Sequence, residues 1–594
     1  MKTQLTKTPM ALVFLIVGVF PFGAFAQQKP APSTASTSCN NEAAVEIIQQ
    51  QLAETKTYDD DAKRISVLIR AADLLWPYRE VRARAAFSEA FDLAIQFFKD
   101  KGAAPKQDGA LLISMPDMRY TVITAIAKRD SAWARKMTDK MVEDLVNEAK
   151  ESGSPNTVRK GQTAAKLLEM AGSLVDSDQS ASLSFARQTL RFPATMQLMI
   201  FIYRLAGVNR PAADQFYQTA LTAYAGAPMD QFLYLSAFPF GNTRDSGDMP
   251  GYTMYRVPAG FMPNEKLQRL FVKTLLSRVQ EQIARPSGLN PGSRITEPEQ
   301  MWLALTRLNQ QIVQTLPDLG PAVAQALLNL GGQLPEASQR RAAEDKSPLT
   351  PPEGTFAERL ESAEKTPDAD TRDRILVTIV MNASPKEDID TVLSAANKIT
   401  HSISRSQLLN WFYFTRAQTA TADGDLVRAR SLAAKVEELD QRGFLYFRIA
   451  DESLKQSMDQ TQAREMLEEV VEAAAKSVTP VSARTLLGVA YLYSKIDPVR
   501  SIGVLNDAIK MINRLESPDF SRPFVVRRIE GKTFSIFAMF STPGFNPENG
   551  MLEVSRSDFD GTLYLASNFS SKPLRALTTL AVVEPCLKVT KRKQ

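Results

Sequence analysis

The chain has little of what enzyme sites are usually built from. Among 594 residues it has one histidine, His401, two cysteines, Cys39 and Cys586, and four tryptophans, Trp76, Trp133, Trp302 and Trp411. A single histidine excludes a multi-histidine metal site within one chain, and two cysteines near opposite ends do not make a Cys/His zinc pattern. No metal and no other cofactor is therefore expected. His401, in KITHSISRSQ, has no nucleophile-elbow sequence beside it, so it reads as a solvent-facing or locally bonded imidazole near a helix junction. P-loop, dinucleotide-fingerprint and EF-hand sequences are missing as well. Each tryptophan sits in a helical pattern, which leaves few platforms for stacking a sugar.

Long apolar runs and a strong charge of one sign are also lacking. The run Met10 to Phe20 is too short to span a bilayer. With Lys2 and Lys7 before it and Ala24-Phe25-Ala26 after it, residues 1–26 read as a cleavable secretory signal peptide. No cysteine stands near that cleavage site to take a lipid. No later run reaches about 18 apolar residues, so no transmembrane anchor is expected. The product is expected to be periplasmic or extracellular. Taking two lysines and no acids from 71 basic and 66 acidic residues leaves a net charge of +3. So small an excess argues against nucleic-acid binding. Export permits a disulfide between Cys39 and Cys586, but only if a superhelix curls back far enough to bring their Cα atoms within about 7 Å. The alternative is two separate thiols, and the sequence leaves both open.

What the chain does have is a recurring helix-opening phrase. Asp425 is followed by Ala429 and Leu432, Asp459 by Ala463 and Met466, and Asp497 by Ser501 and Val504. An aspartate at the N-cap accepts from the unpaired N–H groups of the first turn. The small residue four places on lets a second helix approach, and the apolar residue at seven continues the stripe. The phrase returns after 34 and then 38 residues, with fainter copies at Asp130 (Ala134, Met137) and Asp178 (Ser182, Phe185). One hairpin cannot bury its own apolar face, so the period predicts an all-α superhelix of stacked antiparallel hairpins, an α-solenoid.

The rest of the chain divides around that rhythm. Residues 27–40 read as a disordered leader, 41–332 as an N-terminal helical-repeat domain, 333–354 as a polar, proline-bearing linker and 355–588 as a C-terminal helical-repeat domain. Residues 589–594 read as a basic tail. Residues 236–264 break the helical pattern with four prolines and four glycines, and make one long irregular Pro/Gly/aromatic loop. Within it Phe238, Phe240, Arg244, Tyr252 and Tyr255 are the candidate binding residues, and packing of the aromatics into a plug is the competing reading. Near the C-terminus, 525–540 alternates around Gly531 and fits either a β-hairpin or a short helix.

The hairpins resemble the tetratricopeptide type of repeat. In the clearest unit Phe447 stands at the Trp place, Ala450 at the Leu place and Leu454 at the Tyr place, and Ala463 and Leu467 match the A-x3-F pair. Asp451 replaces the glycine and the terminal proline is missing. The resemblance covers residues 405–515. It implies binding of a protein or peptide partner on a concave surface, and the resulting reading is an exported, non-catalytic scaffold. The alternative is a glycan-binding or glycan-active helical toroid, which needs only two carboxylates; Asp245 and Asp248 are its candidate acids.

Overall fold

The computed structural model describes residues 39–101, 105–108, 111–114, 117–151, 157–241, 257–258, 260–284, 296–334, 354–384, 387–455, 460–516, 519–520, 524–532 and 534–587. Residues 1–38, read above as signal peptide and leader, most of 333–354 and residues 588–594 lie outside them. The described chain is overwhelmingly helical. In order it runs α1 (Asn41–Glu54), α2 (Asp61–Leu75), α3 (Glu80–Lys101), an antiparallel pair β1 (Pro105–Asp108) and β2 (Leu111–Ser114), then α4 (Met118–Ala127), α5 (Ser131–Glu151) and α6 (Thr157–Leu174). It continues through α7 (Gln179–Thr189), α8 (Met196–Val208), α9 (Arg210–Tyr224) and the single turns α10 (Met229–Phe232) and α11 (Ala237–Phe240). Next come α12 (Glu265–Ala284), α13 (Glu297–Thr315) and α14 (Gly320–Gly331). The second half holds α15 (Phe356–Glu364), α16 (Ala369–Met381), α17 (Ile389–Asn397), α18 (Ser402–Ala422), α19 (Leu426–Ala433), α20 (Leu439–Lys455), α21 (Gln460–Ala475), α22 (Pro480–Tyr493) and α23 (Pro498–Ile512). Last are the antiparallel pair β3 (Phe524–Glu530) and β4 (Ser535–Ser541), then α24 (Pro547–Ser555), α25 (Phe559–Ser567) and α26 (Lys572–Val583). The 525–540 alternation is therefore a hairpin, and the β1–β2 pair has no forerunner in the sequence reading.

The chain forms two compact units, Met1–Met118 together with Leu349–Gln594, and Arg119–Pro348. The sequence division instead groups residues 41–118 with the segment up to 332. What binds them to the C-terminal half is visible in the first unit's core. Ile48, Leu68 and Leu75 are buried there, and α1 and α2 pack against α26. Cys39 and Cys586 are disulfide-bonded, with Cα atoms 5.1 Å apart. Arg70 of α2 meets Glu584 at 2.5 Å beside them. The two ends of this unit meet, which is the condition the pairing required.

The recurring phrase folds as its chemistry dictates. Asp130, Asp178, Asp425 and Asp497 each accept a first-turn N–H, from Trp133 (2.9 Å), Ala181 (2.9 Å), Arg428 (3.1 Å) and Arg500 (3.1 Å). Asp459 lies outside the described residues. The small residues Ala134, Ser182, Ala429, Ala463 and Ser501 are all buried. Where that residue is serine it does more than make room. Ser182 Oγ donates to the carbonyl of Ala171 and Ser501 Oγ to that of Ala490, each at 2.7 Å and eleven residues back across the helix pair. Asn209 makes another copy, accepting from Ala212 N (3.1 Å) ahead of buried Ala213 and Phe216. It escapes a search for aspartate although asparagine caps equally well.

Successive pairs are tied through α21, which offers a carboxylate to each side. Glu469 accepts from Tyr446 Oη (2.9 Å) and Arg430 (2.9 Å), and Glu468 accepts from Tyr493 Oη (2.7 Å) and from Arg500 through two bonds (2.8 and 2.6 Å). Hydrogen bonding by Arg500, and then by Tyr493, holds the Glu468 carboxyl below the usual glutamate range. A carboxylate depressed in the folded state adds stability above its unfolded pKa, and that stability is lost as pH falls through the folded value. The pair is part-exposed, so solvent screening keeps its share modest. Glu468→Gln is expected to lower stability at neutral pH and to flatten the acid side of the stability profile. Urea midpoints measured from about pH 7 down to about pH 3 check this.

Candidate interaction surface

The first helices of three consecutive pairs, α18, α20 and α22, line one face of the first unit. The chain itself covers that face. Strand β3 lies along α18 and α20, while the turn Pro543–Phe545 and α24 lie on α22. Alternation decides which side of the hairpin faces down. Val525, Arg527 and Ile529 of β3 and Ile536, Ala538 and Phe540 of β4 are buried, while Val526 and Met539 are exposed.

Helix side chains grip the outer main chain of β3. Gln441 Nε2 donates to the carbonyl of Val526 (3.1 Å), Gln407 Oε1 accepts from Glu530 N (2.6 Å), and Ser404 Oγ donates to the carbonyl of Glu530 (2.5 Å). Gln441 is itself positioned by Asn410, whose Nδ2 donates to Gln441 Oε1 (2.9 Å) and whose Oδ1 accepts from Glu437 N (2.9 Å). His401 belongs to the same corner. It N-caps α18, with Nδ1 3.3 Å from Ser404 N and 2.6 Å from Ser404 Oγ. Buried Asp373 accepts from Thr400 N (3.0 Å), Thr400 Oγ1 (2.8 Å) and His401 N (2.9 Å), and so fixes the turn that delivers Ser404. The imidazole is locally bonded.

Arg527 is the unusual residue of this face. It is 3% exposed and lies over Trp411 (3.9 Å to the centroid), Phe414 (4.4 Å) and Phe540 (4.7 Å), donating to Thr415 Oγ1 (2.8 Å) and to the carbonyl of Trp411 (3.4 Å). No carboxylate pairs with it among the described residues, and its Nε has no hydrogen-bond partner there. Burial pushes its pKa down to about 9, so it still carries its charge at neutral pH. Cation–π attraction to three rings offsets part of the desolvation penalty. A buried charge without an opposite partner remains expensive, and an apolar chain of similar length is commonly neutral or stabilising at such a position. Arg527→Met is therefore expected to leave stability unchanged or raise it by about 1–3 kcal/mol. Denaturant unfolding checks the sign.

The approach of the covering segment to α22 is limited by two glycines. A Cβ on Gly488 would come 2.4 Å from Phe447 Cε2 and 3.0 Å from Phe545 Cε1, and one on Gly544 would lie 3.1 Å from the Cα of Gly488. Main chain crosses main chain here, and only glycine permits it.

On the second helices of the same pairs, the position two places after each capping site stays open. Val427 of α19 is 72% exposed, Val499 of α23 is 84% exposed, and the residue between them in the series, Thr461 of α21, is exposed too. Three successive pairs, clamped by Glu468 and Glu469, each expose this position. The spacing of the phrase places it there, since two residues along a helix turn about 200°, away from the buried residue four places after the cap.

The residues singled out in 236–264 divide differently. Phe238 and Phe240 are core residues of the second unit, 0% and 3% exposed, which corrects their assignment to a binding surface. Phe238 packs against Tyr203, Tyr217 and Phe261, with centroids 5.2 to 5.4 Å apart. The hydroxyls of Tyr203 and Tyr217 hold the carbonyls of Ala237 (2.8 Å) and Leu235 (2.9 Å). Arg210 lies 4.2 Å above the Phe261 ring and donates to the carbonyl of Met262 (2.9 Å). Residues 237–240 also form a helical turn where a loop was expected. Gly241, at φ +58°, ends it, because an adjacent proline and glycine can close a turn as well as break one. Arg244, Asp245, Asp248, Tyr252 and Tyr255 lie outside the described residues. Elsewhere in this unit an open cleft of about 400 Å³ is lined by Arg278, Glu281, Gln282, Ala284, Glu297 and Met301. Arg278 there donates to the carbonyl of Ala227 (2.5 Å), and burial lowers its pKa. No group of acidic, histidine or cysteine side chains able to hold a metal occurs among the described residues, and none of their helices is long and apolar enough to cross a membrane.

No protein-family model matches the chain, and no curated protein does. Among solved structures it aligns with a chain of a homology model of the full-length AP-3 complex in an intermediate open conformation. The identity is 11% over 92% of this chain and 91% of that one, with a TM-score of 0.22. It also aligns with a circular tandem repeat protein with novel repeat topology and enhanced subunit contact surfaces. There the identity is 11% over 92% of this chain and 95% of that one, with a TM-score of 0.18. TM-scores this low carry no argument about what the chain does. The helical-solenoid architecture rests on its own helices.

Proposed function

We propose that the protein is an exported, non-catalytic scaffold of divergent tetratricopeptide-like repeats that holds a protein or peptide partner. The signal sequence in residues 1–26 directs it to the periplasm or the exterior, where the cleaved chain begins at Gln27. The observation that carries the reading is the exposure of Val427 and Val499 at matching places of two helix pairs that Glu468 and Glu469 clamp together. Exposed apolar side chains at repeated places of a rigid array are a common way for a repeat protein to meet a partner. The face of α18, α20 and α22 already holds the chain's own hairpin, so this reading places the partner on the second helices of the pairs.

The test places a photo-crosslinking residue singly at Val427 and at Val499, with exposed Val208 of the second unit as control, in protein exported by its natural host. Crosslinking of one and the same protein from 427 and 499, but not from 208, is the expected result. Adducts at neither position, or unrelated adducts at the two, would contradict the proposal.

A further inference from the structure

The two edges of the β3–β4 hairpin are treated oppositely. The register pairs Val526 with Met539 and Glu530 with Ser535. The main-chain groups of Val526 and Glu530 point away from β4, because helix side chains bond them. Antiparallel pairing alternates, so the groups of Arg527 and Ala538 point at each other, and those of Ser535, Phe537, Met539 and Ser541 point outward from β4. Three side chains, Gln441, Gln407 and Ser404, satisfy the edge of β3. None of the described residues bonds the N–H or carbonyl of Ser535, Met539 or Ser541. An edge of this kind is usually blunted by a lysine, a proline or a bulge. Strand β4, SIFAMFS, has none of these and no charge at all.

An outward row of alternating donors and acceptors is a template that another extended strand can match along its length. The sequence of β4 selects which strand. It reads nearly the same in both directions about Ala538: serine at 535 and 541, large apolar residues at 536, 537, 539 and 540. We infer that β4 pairs with β4 of a second copy of this chain, antiparallel about a two-fold axis at Ala538.

That register matches the alternation that the hairpin fixes along β4. It sets 535 opposite 541 and 537 opposite 539, so outward-pointing groups meet outward-pointing groups on both strands. Ala538 meets its own copy at a pair without hydrogen bonds, where Cα atoms come to about 4.5 Å and a small side chain fits. Residues beside the axis lie near their own equivalents, so a charge there would be set against itself, and the strand has none. Met539, 37% exposed beside its cross-strand neighbour Val526 at 38%, reaches its equivalent as a diagonal neighbour at about 7–8 Å, which covers both. Seven residues a side fall short of the roughly 1,200 Å² of a stable interface, so the dimer is expected to dissociate on dilution. The inference does not depend on the proposed scaffold role.

Sedimentation velocity on the mature, disulfide-bonded protein from about 1 μM to about 200 μM tests it. The expected result is a concentration-dependent shift from monomer to dimer. Met539→Lys puts like charges near the axis and should weaken the dimer at least about tenfold with the thermal unfolding midpoint unchanged. Val427→Lys, on α19, should leave it intact. A monomer throughout the range, or a dimer that Met539→Lys does not weaken, overturns the inference. If Met539→Lys fails to fold, hydrogen exchange of the wild-type protein decides. Amides of Ser535, Met539 and Ser541 should slow as concentration rises, and rates independent of concentration count against the pairing.

Discussion

Replacing Cys39 and Cys586 with serine, or reducing the pair, should lower the stability of the unit built from the two chain ends by about 3–5 kcal/mol. The bond joins residues 547 positions apart, so the loop it closes is among the longest a chain of this length allows. Loop-closure entropy grows with the logarithm of loop length, and the loss falls on the unfolded chain rather than on any native contact. Without the bond, α1 and α2 are held to α26 by apolar packing and by the Arg70–Glu584 pair, which is part-exposed and worth little alone. Hydrogen exchange should show α1 opening first, well before α20 to α23. Chemical denaturation of the oxidised and the double-serine proteins provides the measurement. A difference under about 1 kcal/mol would mean the ends are held by packing alone.

The second large effect is expected at Gly488. Alanine there would place its Cβ against Phe447 and Phe545, two rings that are themselves packed, so relief requires the Pro543–Phe545 turn to lift from α22. The expected loss is about 2–3 kcal/mol, in the range of overpacked cores. A Cβ on Gly503, in the interior of α23, would meet nothing within 4 Å, and alanine there should instead add about 0.5–1 kcal/mol through helix propensity. The two substitutions have the same chemistry and opposite expected signs. Equal effects at both positions would show that the crossing of α22 by its covering segment is not tight.

Much of this was legible because it is local. A capping aspartate, a small residue and an apolar residue at fixed spacing determine a helix start and its buried side, and they do so at Asp130, Asp178, Asp425 and Asp497 alike. The alternation around Gly531 narrowed 525–540 to two outcomes. What could not be read is long-range. Nothing in residues 41–118 tells that α1 and α2 will pack on α26, because an amphipathic helix specifies an apolar neighbour and not which one. The aromatics at 238 and 240 look alike whether they plug a core or meet a partner. The role of Phe238 depends on Tyr203, Tyr217 and Arg210, well before it in the chain, and that of Phe240 on Phe271, well after it. Arg527 is the hardest case, since a charged residue in a strand ordinarily marks its solvent side, and here it marks the buried one.

The central claim is that the inner face of α18, α20 and α22 is filled by the chain's own hairpin. Native-state hydrogen exchange of the Val525, Arg527 and Ile529 amides, whose partners lie on β4, tests it most directly. Covered as described, they exchange only with global unfolding and at the same rate as amides in the middle of α20. Exchange at the rate of an unstructured peptide would contradict the account and leave that face to an outside partner.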